Sequence, residues 1–162
     1  MKLTIKAIVV SVACLGLSSL LVSPTLAQSD SQVGIWKLNV AKSKYSPGPA
    51  PKSATTTIEA AGAGTKVSVD QMRADGTAAQ WGFSADYDGK DNPMTGSNPD
   101  ADMIARTRID ANTIQSISKK DGKVTTTQTS KVSADGKTRT VTTKGMNGAG
   151  KKVNNVAVYD KQ

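Results

Sequence analysis

The sequence predicts an all-β domain: a single antiparallel up-and-down meander of about 8–10 strands closing into a barrel. Three observations predict it. Asp-Gly recurs at Asp75-Gly76, Asp88-Gly89, Asp121-Gly122 and Asp135-Gly136, with Asn147-Gly148 as a fifth site. Such dipeptides tolerate positive φ and suit tight hairpin turns. Between them lie Thr- and Val-rich segments of strand length, such as "KVTTTQTSKVSA" and "KTRTVTTKG", and β-branched residues fit a pleated sheet. Finally, no stretch sustains a period of 3.6. A meander leaves two unpaired edges unless it closes. A closed barrel is the simplest answer, and a two-sheet β-sandwich is the alternative.

Taken in order, the expected strands cover 33–39, 54–60, 65–72, 78–87, 102–109, 113–119, 123–133, 137–144 and 152–159. A short extra strand near 91–96 is compatible with the spacing. The first carries Gly34 and Trp36. Pro47, Pro49 and Pro51 follow it and exclude a regular helix in the later half of 40–52. Val67 and Val69 share a face in the third strand. In "AAQWGFSADYDG", Trp81, Phe83, Ala85 and Tyr87 share one face, and Gln80, Gly82, Ser84 and Asp86 share the other. In "ADMIARTRID", apolar residues are expected to point inward: Met103, Ala105, Thr107 and Ile109. Ile104, Arg106 and Arg108 then meet water. The later strands offer Thr on both faces. That pattern fits either a partly polar lumen able to hold a small ligand, or threonine used for β-propensity alone. Most strand threonines are structural, which favours the second reading.

The first 27 residues read as a cleaved signal peptide. Lys2 and Lys6 form a positive start, Ala7 to Val22 is apolar, and Thr25-Leu26-Ala27 is a small-residue cleavage site. Residues 28–162 then form the barrel domain, with a periplasmic or secreted destination. Acylation of Cys14 is the alternative, but Leu15-Gly16-Leu17 continues the apolar core instead of turning polar. Cleavage leaves 135 residues, removes the one cysteine, and lowers the net charge from +8 to +6 with Lys2 and Lys6. With neither His nor Cys, the remaining chain has no thiol nucleophile, imidazole base, or His or Cys ligand for zinc or copper. Acid/base chemistry would fall to Asp, Lys or Tyr, with Glu59 the one glutamate. No pair of them is singled out, so no catalytic residues and no enzyme are expected.

Other groupings also read as turns. Asp86, Asp88, Asp91, Asp100 and Asp102 could offer oxygens to calcium, but their spacing departs from the twelve-residue helical calcium loop. No metal and no cofactor are expected. "AAGAGT" and "NGAGKK" are glycine-rich, but neither lies between a strand and a helix as a phosphate loop does. The cations are scattered, which describes a solvated basic surface better than a nucleic-acid site.

Gly34-Ile35-Trp36 resembles the Gly-x-Trp signature on the first strand of lipocalins and related calycin-type barrels. The stretch from Gly34 to Pro51 also resembles the opening of a group of small exported bacterial proteins. The resemblance to lipocalins implies that Trp36 closes one end of the barrel beneath a basic residue from a late strand. Arg139 is the best match by position; Lys144 and Lys152 match less well. The ending "VAVYDKQ" is similar to the last strand of fatty-acid-binding barrels. Here Tyr159 is present, but Ala157 stands where their arginine does, and "VAKSKYSPGPAPKS" is too short and proline-rich for their helical lid.

The expected function is therefore an exported, non-enzymatic module holding a hydrophobic or amphipathic molecule. Trp81, Phe83, Tyr87, Met103 and Tyr159 are the expected ligand residues, and Gly34, Trp36 and Arg139 the closure. The expected partners are a small lipophilic ligand and weakly associated anionic envelope components, with no nucleic acid, for a monomeric protein. The alternative is a structural envelope protein adhering to anionic polymers without a ligand pocket. Salt-sensitive pelleting with envelope fractions separates the two.

Overall fold

The structure, a computed structural model, describes residues 30–162. The expected signal segment 1–27, its cleavage site and Cys14 lie outside the described residues. Ten strands follow one another: β1 (Gly34–Leu38), β2 (Ser53–Ala61), β3 (Gly64–Met72), β4 (Ala78–Asp86), β5 (Asp88–Gly96), β6 (Met103–Arg108), β7 (Thr113–Lys120), β8 (Lys123–Val132), β9 (Thr138–Met146) and β10 (Lys152–Lys161). Each pairs with its sequence neighbour, and β1 pairs with β10, so the sheet is a closed up-and-down barrel. Every pairing is antiparallel, and the sandwich is excluded. Closure removes both sheet edges.

The turns show why the chain meanders. Asp121 and Gly122 both take positive φ, 49° and 74°, between the paired residues Lys120 and Lys123. This two-residue turn matches the twist of its strands. Asp75-Gly76 and Asp135-Gly136 also lie in turns. Asp88-Gly89 departs from expectation, because it begins β5 instead of forming a hairpin tip. β4 and β5 pair only through Trp81–Gly96, Gly82–Thr95 and Phe83–Met94. Between Phe83 and Tyr87, the residue that links the two strands, no further residue pairs form.

The β1–β10 seam is also short, running from Trp36–Lys161 to Leu38–Tyr159. The proline-rich connection extends it. After one 3₁₀ turn at Val40–Lys42, capped by the Asn39 side chain, the chain returns to β10. Lys44 and Val156 exchange backbone hydrogen bonds of 2.8 and 2.7 Å, and Asn154 N–H donates to Ser46 O. A segment too proline-rich for a helix thus completes the barrel wall.

Two apolar clusters fill the space around β1. Trp36, Ile58, Val67 and Val132 are buried together, with Val33, Val69, Phe83 and Tyr159 against them. Leu38, Ala54, Val141 and Ala157 form the second, joined by Tyr45 and Tyr159.

Candidate functional site

The base of the barrel is built on the short segment before β1. Gln32 is completely buried. Its Nε2 donates to Asn112 O at 3.0 Å, and its Oε1 accepts from Ser130 Oγ at 2.8 Å and Arg139 Nε at 3.3 Å. The Trp36 indole, also fully buried, donates Nε1–H to Gln32 O at 2.8 Å. Trp36 therefore closes the base, but the cation over it is Lys161, whose Nζ is 5.1 Å from the ring centroid. Arg139 instead lies over Tyr159, 5.5 Å from that centroid. The reason is register: Lys161 pairs with Trp36, whereas Arg139 pairs with Tyr159. Gly34 makes room for this, since a Cβ there would lie 2.6 Å from Lys161 Cε, at a φ of +138° that side chains rarely adopt.

Above the base lies a lumen of about 300 Å³, at the small end of ligand pockets. Its two walls differ. Val67 and Val69 on β3, Trp81 and Phe83 on β4, Met94 on β5 and Ile104 on β6 make an apolar arc. Register stacks them side by side: Val67 faces Phe83, Val69 faces Trp81, and Phe83 faces Met94. Opposite, Ser116 and Ser118 on β7, Thr126, Gln128 and Ser130 on β8 and Thr143 on β9 present hydroxyls and an amide. Thr126 and Thr143 therefore line the lumen.

β6 also faces the other way from expectation. Ile104 and Arg106 line the lumen, while Met103 lies off it and Ile109 is 57% exposed. The expectation placed arginine in water and apolar residues inside. Register overrides it: Ile104 pairs with Ser118 and Arg106 with Ser116, both lumen residues.

Arg106 is 2% exposed. Its Nη1 donates to Thr65 Oγ1, its guanidinium lies 5.4 Å from the Phe83 centroid and 5.0 Å from that of Tyr87, and its buried Nε has no partner. Burial lowers its pKa, partly offset by Tyr87 and Asp30. Arg139 faces the lumen from β9, with Nε donating to Ser130 Oγ at 2.8 Å. Burial pushes its pKa down to about 10, the charge of Arg106 adding to the effect. Both remain cationic at neutral pH. No carboxylate among the described residues pairs with either; the ion pairs formed there all belong to other cations.

The predicted ligand residues separate accordingly. Trp81, Phe83 and Tyr159 meet around the lumen. Met103 does not. Tyr87 sits at the base, where its OH donates to Asp30 Oδ2 at 2.6 Å; burial and then that carboxylate raise its pKa. Burial also raises that of Tyr159, although Arg139 opposes the shift. Sequence reasoning missed Gln32 and placed Arg106 in water. The first precedes any strand; the second could be found only from the parity of its partner strand. The aspartates considered for calcium separate: Asp88 pairs with Lys90, Asp91 with Lys119 and Asp102 with Lys120.

The mouth is roofed by the loop between β5 and β6, where Asn98, Pro99, Asp100 and Ala101 border the lumen with Asn147 from the β9–β10 turn. Gly148 N–H donates to Asp100 Oδ1 at 2.7 Å, joining loop to turn. The chain matches no protein-family model and no curated protein sequence.

Proposed function

We propose that this protein is an exported, non-enzymatic binding module that holds a small amphipathic molecule in its barrel lumen. One observation carries the reading: a roofed cavity of about 300 Å³ with one apolar wall and one hydroxyl-rich wall. A cavity serving only as core would be packed to the density of the rest of the interior, and a purely apolar ligand would leave the β7–β9 hydroxyls without partners. The Gly-x-Trp likeness of β1 to lipocalin-type barrels supports the same reading. Export rests on the residues before Gln28.

Titration with N-phenyl-1-naphthylamine tests it. The probe should gain fluorescence and quench tryptophan emission, and the Trp81→Phe variant should keep the gain while the quenching falls to what Trp36 at the base contributes. If the probe neither brightens nor changes tryptophan emission at concentrations up to its solubility, the lumen is not a site for molecules of this kind.

A further inference from the structure

We infer that the lumen selects an organic anion, its acidic head group seated at depth between Arg106 and Arg139 and its body against the Val67–Phe83–Met94 wall. This rests on the binding reading above and specifies the class of ligand.

The argument begins with an imbalance. Two guanidiniums share the lower lumen, and the described residues give neither a carboxylate partner. A buried charge is costly unless paired and hydrogen-bonded. Asp30, whose charge reaches Arg106, is committed elsewhere: its Oδ2 accepts from Arg108 Nη2 and from Tyr87 OH, each at 2.6 Å. Like charges in one cavity also repel, and Arg106 weakens the protonation of Arg139. An anion between them would remove both costs.

Donor geometry points the same way. Arg106 is 2% exposed, and its Nε–H has no acceptor. Arg139 spends Nε on Gln32 and Ser130, and among the described residues neither of its Nη groups has an acceptor. The free donors therefore come from two planar guanidiniums, which suit the oxygens of a carboxylate or sulfonate. Ser116, paired with Arg106 across the ladder, and Ser118 supply lumen hydroxyls that can also donate. Arg106 sits at the junction of the two walls, since it follows Ile104 along β6, and Arg139 faces it from β9 in the polar wall. A head group held there leaves its apolar body facing Val67, Phe83 and Met94. This pair, on β6 and β9, is distinct from the last-strand arginine that Ala157 replaces.

The test compares two probes of nearly equal shape, naphthalene-1-acetate and its neutral amide, titrated calorimetrically at pH 7. The acetate should bind the unaltered protein at least tenfold more tightly. Arg106→Met and Arg139→Met should each reduce that preference at least fivefold, with Arg106→Lys retaining part of it. The comparison on the unaltered protein needs no variant to fold. Equal binding of acetate and amide overturns the anion inference and leaves the binding reading standing. Binding of neither, together with no response to N-phenyl-1-naphthylamine, overturns both. A preference that survives both arginine variants, each shown folded by circular dichroism, overturns the assignment to this pair.

Discussion

The two ends of the barrel are closed by opposite means. At the base, Gln32 and Trp36 are fully buried and bonded to one another, and Gln32 reaches Asn112, Ser130 and Arg139 in three other parts of the chain. At the mouth, a loop of Asn, Pro, Asp and Ala lies across the opening, tied to the β9–β10 turn by Gly148 N–H to Asp100. Local opening is cheap where few apolar contacts are buried and backbone bonds face water. The base therefore belongs to the stability of the fold, and the mouth is the end at which a ligand would enter.

The largest expected effect comes from breaking the base. Trp36→Ala deletes a fully buried indole and should cost about 3–5 kcal/mol, read as a lower urea midpoint. Gln32→Ala should cost less, about 1–3 kcal/mol, by leaving Ser130 Oγ–H without its acceptor and Asn112 O without its side-chain donor. A Trp36→Ala protein as stable as the parent would mean that the base is not the stabilising end.

A second effect sharpens the same contrast through pH. Burial raises the pKa of Asp30, but bonds from Tyr87, the Gln32 N–H and Arg108 outweigh it and hold the net value below 3.8. A carboxylate whose folded pKa is depressed stabilises the protein above its unfolded pKa, and that stability is lost as pH falls through the folded value. Stability should therefore decline with acid below about pH 4, and Asp30→Asn should flatten that decline while lowering stability at pH 7. Unfolding midpoints from pH 2 to 7 measure it; an unchanged slope in the variant would assign the decline to other carboxylates.

The architecture was legible because turn chemistry is local. Asp121-Gly122 needs only its own backbone conformation to reverse the chain, so it can be read without knowing its neighbours. The site was less legible because it depends on register. Period-2 alternation shows that Ile104, Arg106 and Arg108 share a face, but not which face is inside; hydrophobicity chose the wrong one, since Met103 and Ile109 are as apolar as Ile104. Ser116 and Ser118 across the β6–β7 ladder decide the matter, and they carry no apolar signal of their own. Likewise the three-residue pattern located Trp36 but not its cation. Lys161 is set by the β1–β10 pairing, a contact between the two ends of the sheet that no local pattern reveals.

The smallest effect on stability should come from the mouth, and there it should separate stability from exchange. Asp100→Ala removes one solvent-facing charge-assisted bond to Gly148, worth about 1 kcal/mol or less. The unfolding midpoint should scarcely move. If the loop is the way in, loosening it lowers the barrier for entry and exit alike, because the same opened state lies on both paths. Association and dissociation of N-phenyl-1-naphthylamine should then quicken by similar factors, leaving the affinity nearly constant; stopped-flow fluorescence resolves the two rates. A loss of affinity with unchanged association would instead make Asp100 part of the binding surface. A loss of stability approaching that of Trp36→Ala would remove the distinction between the ends altogether.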